Sequence, residues 1–165
     1  MIRKGQIQKT IVWINRAYGR SRTQMEALYL SKLAILEVCG WTEESMDDIV
    51  RYLANRHLSE SANLTFVETK VIERTYSFDY QRFRSMLLQV MGIINVERLE
   101  RNLGGPGLDE MKAALTMLKT NRDEHAHKHV DGTMRIDAPS VTQRRFQAVY
   151  YGLKGIESYI RRMTL

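Results

Sequence analysis

The chain has 165 residues, and its 25 lysine and arginine residues outnumber its 19 acidic residues to give a formal net charge of +6. This length predicts one domain, long enough to bury a sizeable core, rather than two. The single cysteine, Cys39, excludes a disulfide scaffold within the chain and is expected to pack in the core. The amino terminus lacks the apolar core of a signal peptide, and no apolar run reaches membrane-spanning length, so we expect a cytoplasmic protein.

The basic residues are concentrated at the two ends of the chain. Residues 1–22 contain six basic residues and no acidic one, whereas residues 140–165 contain five basic residues and one glutamate. The segment between them therefore has a net charge of −4. If the two ends lie side by side in a helical bundle, they would form a surface that attracts phosphate. The alternative is a solvated basic surface that serves solubility.

Apolar residues near the amino terminus recur at helical spacing and predict a helix that ends near Gly19. A second helix opens at Thr23, where Glu26 completes a capping box, and is predicted to stop at Gly40. Thr42 is predicted to cap a third helix, which ends near His57. The apolar positions of these three helices are Ile7, Ile11, Ile14 and Tyr18, then Met25, Leu28, Tyr29, Leu33, Ile35, Leu36 and Cys39, then Met46, Ile49, Val50 and Leu53.

The middle of the chain is less clear. Residues 59–63 read as a loop, and residues 64–76 fit either a short helix or an extended segment because they are rich in β-formers. A long helix then begins at Ser77 or Asp79. Its predicted apolar stripe consists of Tyr80, Phe83, Leu87, Val90 and Ile94.

The glycine-rich segment 104–107 predicts a break, after which Asp109 begins a helix that carries Arg122 at its far end. The inward residues of this helix are predicted to be Met111, Leu115 and Leu118. A loop between residues 131 and 139 leads to a last helix, which a capping box of Ser140 and Gln143 would open. The uninterrupted apolar stripe of the last helix, which could pack within one subunit or across a dimer, consists of Phe146, Val149, Leu153, Ile156, Ile160 and Met163.

These patterns predict an all-α fold, an antiparallel bundle of five or six helices around one core. The helix with Arg122 and the carboxyl-terminal helix should be antiparallel neighbours, because only a loop joins them. No repeat at a solenoid period is visible in the sequence.

Three of the four histidines, His125, His127 and His129, fall within five residues, directly behind Arg122 and Asp123. Arginine is permanently cationic and can grip phosphate oxygens through its forked donors, whereas histidine titrates near neutrality and can move a proton. Together they supply the groups that RNA cleavage needs: a base for the ribose 2′-hydroxyl and a cation for the crowded phosphate.

This run resembles the Arg-x(4–6)-His signature of the HEPN ribonucleases, in the form Arg-polar-x-x-Ala-His that Arg122, Asp123, Ala126 and His127 match. Two further segments are similar to the RiboL-PSP branch of that family, namely a Gly-x-x-Glu corner at residues 40–43 and the segment 77–84. The resemblance implies that residues 1–165 form a single HEPN-like domain. It also implies metal-independent cleavage of RNA to 2′,3′-cyclic phosphate and 5′-hydroxyl ends.

The resemblance assigns catalysis to Arg122 and His127, with Asp123 holding the arginine or orienting a histidine. On an ideal helix, however, five residues turn a side chain about 140° away, so Arg122 and His127 would not share a face. Either the helix loosens before Lys128, or two subunits of a homodimer combine their residues. His129 satisfies the longer spacing and is a reserve base, and His125 could support the site. The expected RNA contacts are Lys128, Arg144 and Arg145.

Other interpretations stay open. His125 and His129 stand four residues apart, as zinc ligands on a helix do, although a third ligand must come from elsewhere. The run could also be a solvated polar helix end. A second function class is a non-catalytic helical module that binds RNA or a partner protein. The resemblance implies no cofactor, and it suggests a toxin–antitoxin or anti-phage defence system with a restraining partner.

Overall fold

A computed structural model describes residues 2–74 and 77–163, and this part of the chain contains six α-helices, one π-helical segment and no strand. The prediction of an all-α fold is therefore confirmed. The helices, with the π-helical segment in its place along the chain, are α1 Gly5–Tyr18, α2 Gln24–His57, α3 Ser61–Phe66, the π-helical segment Val67–Ile72, α4 Tyr80–Leu103, α5 Pro106–His125 and α6 Pro139–Arg162. None of these helices is both long and apolar enough to span a membrane.

The second and third predicted helices are one continuous helix, α2, so the predicted stop at Gly40, the cap at Thr42 and the corner at residues 40–43 are wrong. The Thr42 hydroxyl is buried and donates to the Val38 carbonyl oxygen one turn back at 2.7 Å, a bond within the helix. Buried residues on both sides of Gly40 form one face, and packing of that face outweighs the roughly 1 kcal/mol by which glycine weakens a helix. The start at Thr23 is confirmed, since Thr23 Oγ1 accepts from the Glu26 amide at 3.1 Å.

The continuity of α2 gives a first testable prediction. Gly40 is exposed, and an added Cβ would have no heavy atom within 4 Å. We expect Gly40→Ala to raise the free energy of unfolding by about 0.5–1 kcal/mol, because alanine costs less conformational entropy in a helix. Urea denaturation followed by circular dichroism measures the change. A loss of stability would mean that the chain needs a non-helical conformation at this position.

Residues 59–77 are mostly helical where they are described. The predicted loop ends at Ser61, where α3 begins, and residues 64–72 take the helical alternative. Thr75 and Tyr76, which belong to the same open prediction, lie outside the described residues. Of the two predicted starts of the next helix, Asp79 is confirmed. It caps α4, because its carboxylate accepts a hydrogen bond from the Arg82 amide at 2.9 Å.

A kink in α4 changes which residues face the core. Gly92 has φ 75° and ψ 163°, a conformation that favours glycine, and the helical phase shifts there. The prediction that Ile94 belongs to the apolar stripe is therefore wrong, since its side chain is 65% exposed. Val96 and Leu99 are buried instead.

The break at residues 104–107 is confirmed, although α5 starts at Pro106, three residues before the predicted Asp109. The capping box at Ser140 is wrong, because α6 begins at Pro139 and has no side-chain cap. The apolar positions of both helices are confirmed as buried, Met163 partly so. The stripe of α6 is thus buried within one subunit.

Helices α5 and α6 are antiparallel neighbours, as predicted. Near the end of α5, Asn121 donates to Asp137, which lies just before α6, at 3.1 Å. Near the start of α5, Met111 packs on Gly152 in the second half of α6, where an added Cβ would lie 2.6 Å from the Met111 Cβ. Helix α1 packs against α2 and α6, so the two basic ends of the chain lie side by side.

Candidate active site

Helix α5 ends at His125, and the chain leaves the helix within the histidine run. The Ala126 amide still donates to the Arg122 carbonyl oxygen at 2.7 Å, and the Lys128 amide donates to the His125 carbonyl oxygen at 3.3 Å. The expected loosening of the helix before Lys128 is confirmed. Ala126 itself keeps helical backbone angles, with φ −56° and ψ −43°, so the chain departs from the helix only at His127.

Arg122 is held in place by two carboxylates and one aromatic ring. Its Nη1 donates to Glu43 Oε1 of α2 at 2.5 Å, and its Nη2 donates to Asp123 Oδ1 at 3.2 Å. The guanidinium carbon lies 4.8 Å from the centre of the Phe78 ring, within cation–π range. The side chain remains 22% exposed. Arg122 is thus oriented by its surroundings and can still be reached from solvent.

Asp123 holds Arg122, one of the two roles expected of it. Lys119 Nζ donates to its other oxygen at 2.6 Å, and this contact is the main reason that the Asp123 pKa lies below its usual value, with Arg122 adding to the effect. The carboxylate is therefore anionic at neutral pH. It can orient the arginine, but it is a poor proton acceptor.

The His125 side chain turns into the protein interior. Its side chain is 11% exposed, and its buried Nδ1 has no hydrogen-bond partner in the described chain. Its Nε2 lies 3.8 Å from Glu124 Oε2. Nearby, Asp137 accepts from Asn121 and lies 2.7 Å from Arg145 Nη1, and the Arg145 guanidinium is the main cause of a lowered Asp137 pKa.

His127 and His129 are exposed on the turn that follows α5. Neither imidazole forms a hydrogen bond or ion pair with another residue of the described ranges, 2–74 and 77–163, and so neither contacts Arg122 in this way. The turn itself is anchored, because Lys32 Nζ of α2 donates to the Lys128 carbonyl oxygen at 2.8 Å. The structure brings Arg122 and Asp123 together and leaves His127 free a few residues away, whereas His129 lies near Asp131, whose pKa is lowered mainly by hydrogen bonds from Thr133 and in part by His129.

The three residues expected to contact RNA differ in how accessible they are. The Lys128 and Arg144 side chains are exposed and have no protein partner in the described structure. Arg145 is paired with Asp137, and its side chain is only 16% exposed. Lys128 and Arg144 are thus available to a phosphate as they stand.

The zinc alternative gains no third ligand from the part of the chain that the structure describes. No three histidine, cysteine, aspartate or glutamate residues there are grouped so that they could hold a metal ion. Of the expected pair, His125 is buried and His129 is exposed. The two side chains therefore lie in different environments.

Sequence reasoning missed Glu43, the strongest partner of Arg122. It lies 79 positions away along the chain, and in the sequence it appeared only as the glutamate of the Gly-x-x-Glu segment at residues 40–43, which predicts no contact with Arg122. One turn further along α2, burial raises the pKa of Asp47 to about 6, with the Arg51 cation opposing the shift and Glu43 adding to it.

The raised pKa of Asp47 predicts a pH-dependent stability. The folded chain keeps a proton on Asp47 that the unfolded chain has lost, so this group lowers stability as pH rises from about 4 to 6. We expect Asp47→Asn to raise the free energy of unfolding by about 1–2 kcal/mol at pH 7, allowing for partial exposure. Urea denaturation should show almost no difference at pH 4. An equal gain at both pH values would contradict the raised pKa.

The structure also shows what the two shorter segments of the resemblance form. The segment 77–84 supplies a helix start at Asp79, and the segment 40–43 supplies Glu43 rather than a corner. Comparison of the chain with protein-family models, with curated proteins and with solved structures gave no match.

Proposed function

We propose that the chain is a metal-independent endoribonuclease of the HEPN type. In this mechanism the His127 imidazole takes the proton from a ribose 2′-hydroxyl, and the 2′-oxygen attacks the adjacent phosphorus. The 5′-oxygen of the next nucleotide leaves and takes up a proton. Arg122 stabilises the negative charge that accumulates on the phosphate oxygens. The products carry 2′,3′-cyclic phosphate and 5′-hydroxyl ends.

The observation that carries this proposal is the free, exposed imidazole of His127 on the turn directly after the helix that carries Arg122. A general base must reach its proton without a competing partner, and no described residue engages this ring. Arg122, by contrast, is already oriented by Glu43, Asp123 and Phe78. One unpaired, exposed proton acceptor and one oriented cation are the two groups that the proposed reaction needs.

A phosphate would have to replace at least one carboxylate at Arg122. This exchange is chemically reasonable, because a phosphate presents the same bidentate pattern of oxygen atoms to a guanidinium as a carboxylate does. The exposed side chains of Lys128 and Arg144 would attract the RNA backbone. His129 remains the reserve base on the same turn.

The proposed enzyme acts as a homodimer within a defence or toxin–antitoxin system, in which a partner protein restrains it. The apolar stripe of α6 is buried within the subunit, so a dimer would use another surface. Large exposed apolar side chains lie on all six α-helices of the described chain, and Trp13 of α1, Tyr29 of α2 and Ile93 of α4 are among them.

The proposal is tested by incubating the purified protein with single-stranded RNA in excess chelator. We expect the upstream fragment to have a 3′ end without a free hydroxyl until its cyclic phosphate is opened and removed, and the downstream fragment to have a 5′ end that accepts phosphate from a kinase directly. Cleavage that begins only after a divalent metal is added, or that leaves 5′-phosphate ends, would contradict this mechanism.

A second candidate function is a non-catalytic module that binds RNA or a partner protein. The pairing of Arg122 with Glu43 and Asp123 favours it, because two carboxylates already satisfy the guanidinium. In that case the protein should bind RNA with an affinity that falls steeply with salt and should leave the strand intact. Intact RNA after prolonged incubation at a saturating protein concentration would favour this function over the enzyme.

A further inference from the structure

A small cleft lies between the two basic ends of the chain, at the contact of α1 with α6. Its volume is about 120 Å³, well below the roughly 300–1,000 Å³ of pockets that hold drug-sized ligands. The cleft could therefore take a single planar ring system. Its lining combines one cation, three amides and aromatic rings, and the six residues used below are Lys4, Gln8, Gln143, Gln147, Tyr150 and Tyr151.

One wall of the cleft is aromatic. The rings of Tyr150 and Tyr151 lie 5.4 Å apart with an edge-to-face tilt of 66°, and Tyr151 is 66% exposed. Behind them, Phe146 contacts the indole of Trp41 at a centroid distance of 4.9 Å, which ties the wall to α2. The wall thus presents an exposed ring on a rigid base, an arrangement on which a planar ligand can stack.

The cation of the cleft is held over that wall. Lys4 Nζ lies 4.7 Å from the centre of the Tyr150 ring and 5.8 Å from that of Tyr151. The segment before α1 is fixed, because the Trp41 indole N–H donates to the Arg3 carbonyl oxygen at 2.9 Å. A stacked ring could take the place of the ammonium, and the flexible lysine would then reach a neighbouring phosphate.

Three glutamine amides complete the cleft. Gln143 and Gln147 stand four residues apart on α6, in line with Tyr151, and Gln8 faces them from α1. Within the described structure none of the three side-chain amides has a hydrogen-bond partner. Each amide offers both a donor and an acceptor, the combination that pairs in bidentate fashion with the edge of a nucleobase.

We propose that this cleft binds an unpaired nucleobase of single-stranded RNA. The base stacks on Tyr151, its edge meets the amides of Gln143 and Gln147, and Lys4 contacts the adjoining phosphate. As a specificity site for the substrate, the cleft rests on the proposed ribonuclease function. It is separate from Arg122, however, because Trp41 and Glu43, which contact the two sites, point about 160° apart around α2.

The test measures binding of full-length protein to a fluorescent single-stranded 2′-O-methyl oligonucleotide, which cannot be cleaved through a 2′-hydroxyl. We expect Tyr151→Ala to weaken binding about 5- to 100-fold, the range for loss of one stacked base, and Tyr151→Phe to preserve it. Lys4→Gln should reduce the salt dependence by about one phosphate contact. Thermal unfolding confirms that each variant is folded, which the exposure of Tyr151 leads us to expect.

Competition experiments distinguish an unpaired base in a strand from a paired base and from a free nucleotide. Competition by a duplex of the same sequence should be weaker, because its bases are paired, and mononucleotides should compete in a Tyr151-dependent way but less tightly than the strand. Equal affinity of wild type and Tyr151→Ala, or equal affinity for strand and duplex, would overturn the proposal. These binding experiments are independent of the cleavage assay described above. Tyr151-dependent binding by a protein that does not cleave RNA would refute only the ribonuclease. Normal cleavage together with binding that does not depend on Tyr151 would refute only the cleft.

Discussion

His127→Ala should lower the rate of RNA cleavage by about 100- to 10,000-fold, the usual contribution of a general base, while stability changes by no more than about 0.5 kcal/mol. The small cost follows from the structure, because the imidazole is exposed and free of protein partners in the described chain. Single-turnover cleavage in excess chelator measures the rate, and urea denaturation measures the stability.

His129→Ala is the matched variant, since His129 is equally exposed two residues further along the same turn. We expect it to retain most of the cleavage rate if His127 is the base. The opposite pattern, with His129 essential and His127 dispensable, would transfer the role to the reserve base. Full activity of a variant that carries both His127→Ala and His129→Ala would remove the two exposed histidines from the mechanism.

Arg122→Gln should lower the cleavage rate by about 100- to 1,000-fold, because the fixed cation no longer stabilises the charge that develops on the phosphate. A cost in stability is also expected, since Arg122 pairs with Glu43 and stacks on Phe78. Arg122→Lys should recover only part of the rate, because a lysine cannot grip two phosphate oxygens with a planar fork.

Glu43→Gln separates the effect on folding from the effect on chemistry. It removes the same ion pair with Arg122 but leaves the guanidinium in the protein. We expect this variant to share part of the stability loss, measured by urea denaturation, and to keep most of its cleavage. Equal loss of cleavage in Glu43→Gln and Arg122→Gln would instead indicate that Arg122 acts only by holding α5 to α2.

Much of the fold could be predicted from apolar spacing, because packing of a buried face decides where helices form. The stripes of α1, α5 and α6 were predicted correctly, and so was the pairing of α5 with α6. The errors fall in α2 and α4. The predicted apolar positions Tyr29, Leu33 and Leu36 of α2 are exposed, and two glycines had misleading local signals. Gly40 has a sequence context typical of a helix end, yet the buried face continues through it, whereas Gly92 in a strongly apolar stretch is a true kink.

The candidate site could be predicted only in part. The sequence places Arg122, Asp123 and the histidines next to one another, but Glu43 and Phe78 reach Arg122 from distant positions that no local pattern connects. His125 likewise lies near Asp137, and no local pattern predicts that its side chain is buried there. The sequence indicated the cleft between α1 and α6 only through the basic charge at both ends of the chain. Its amides and rings come from two separate helices, so no local pattern predicts it.

The most direct test of the central claim is whether Arg122 and His127 meet the same phosphate. Nuclear magnetic resonance can follow the Arg122 Nε–H and the His127 ring protons while an RNA with one 2′-deoxy linkage, which cannot be cleaved there, is added. Our account predicts that both signals shift together with one dissociation constant, and that Arg122→Gln abolishes the response of His127. RNA binding that leaves both signals unchanged would contradict the account.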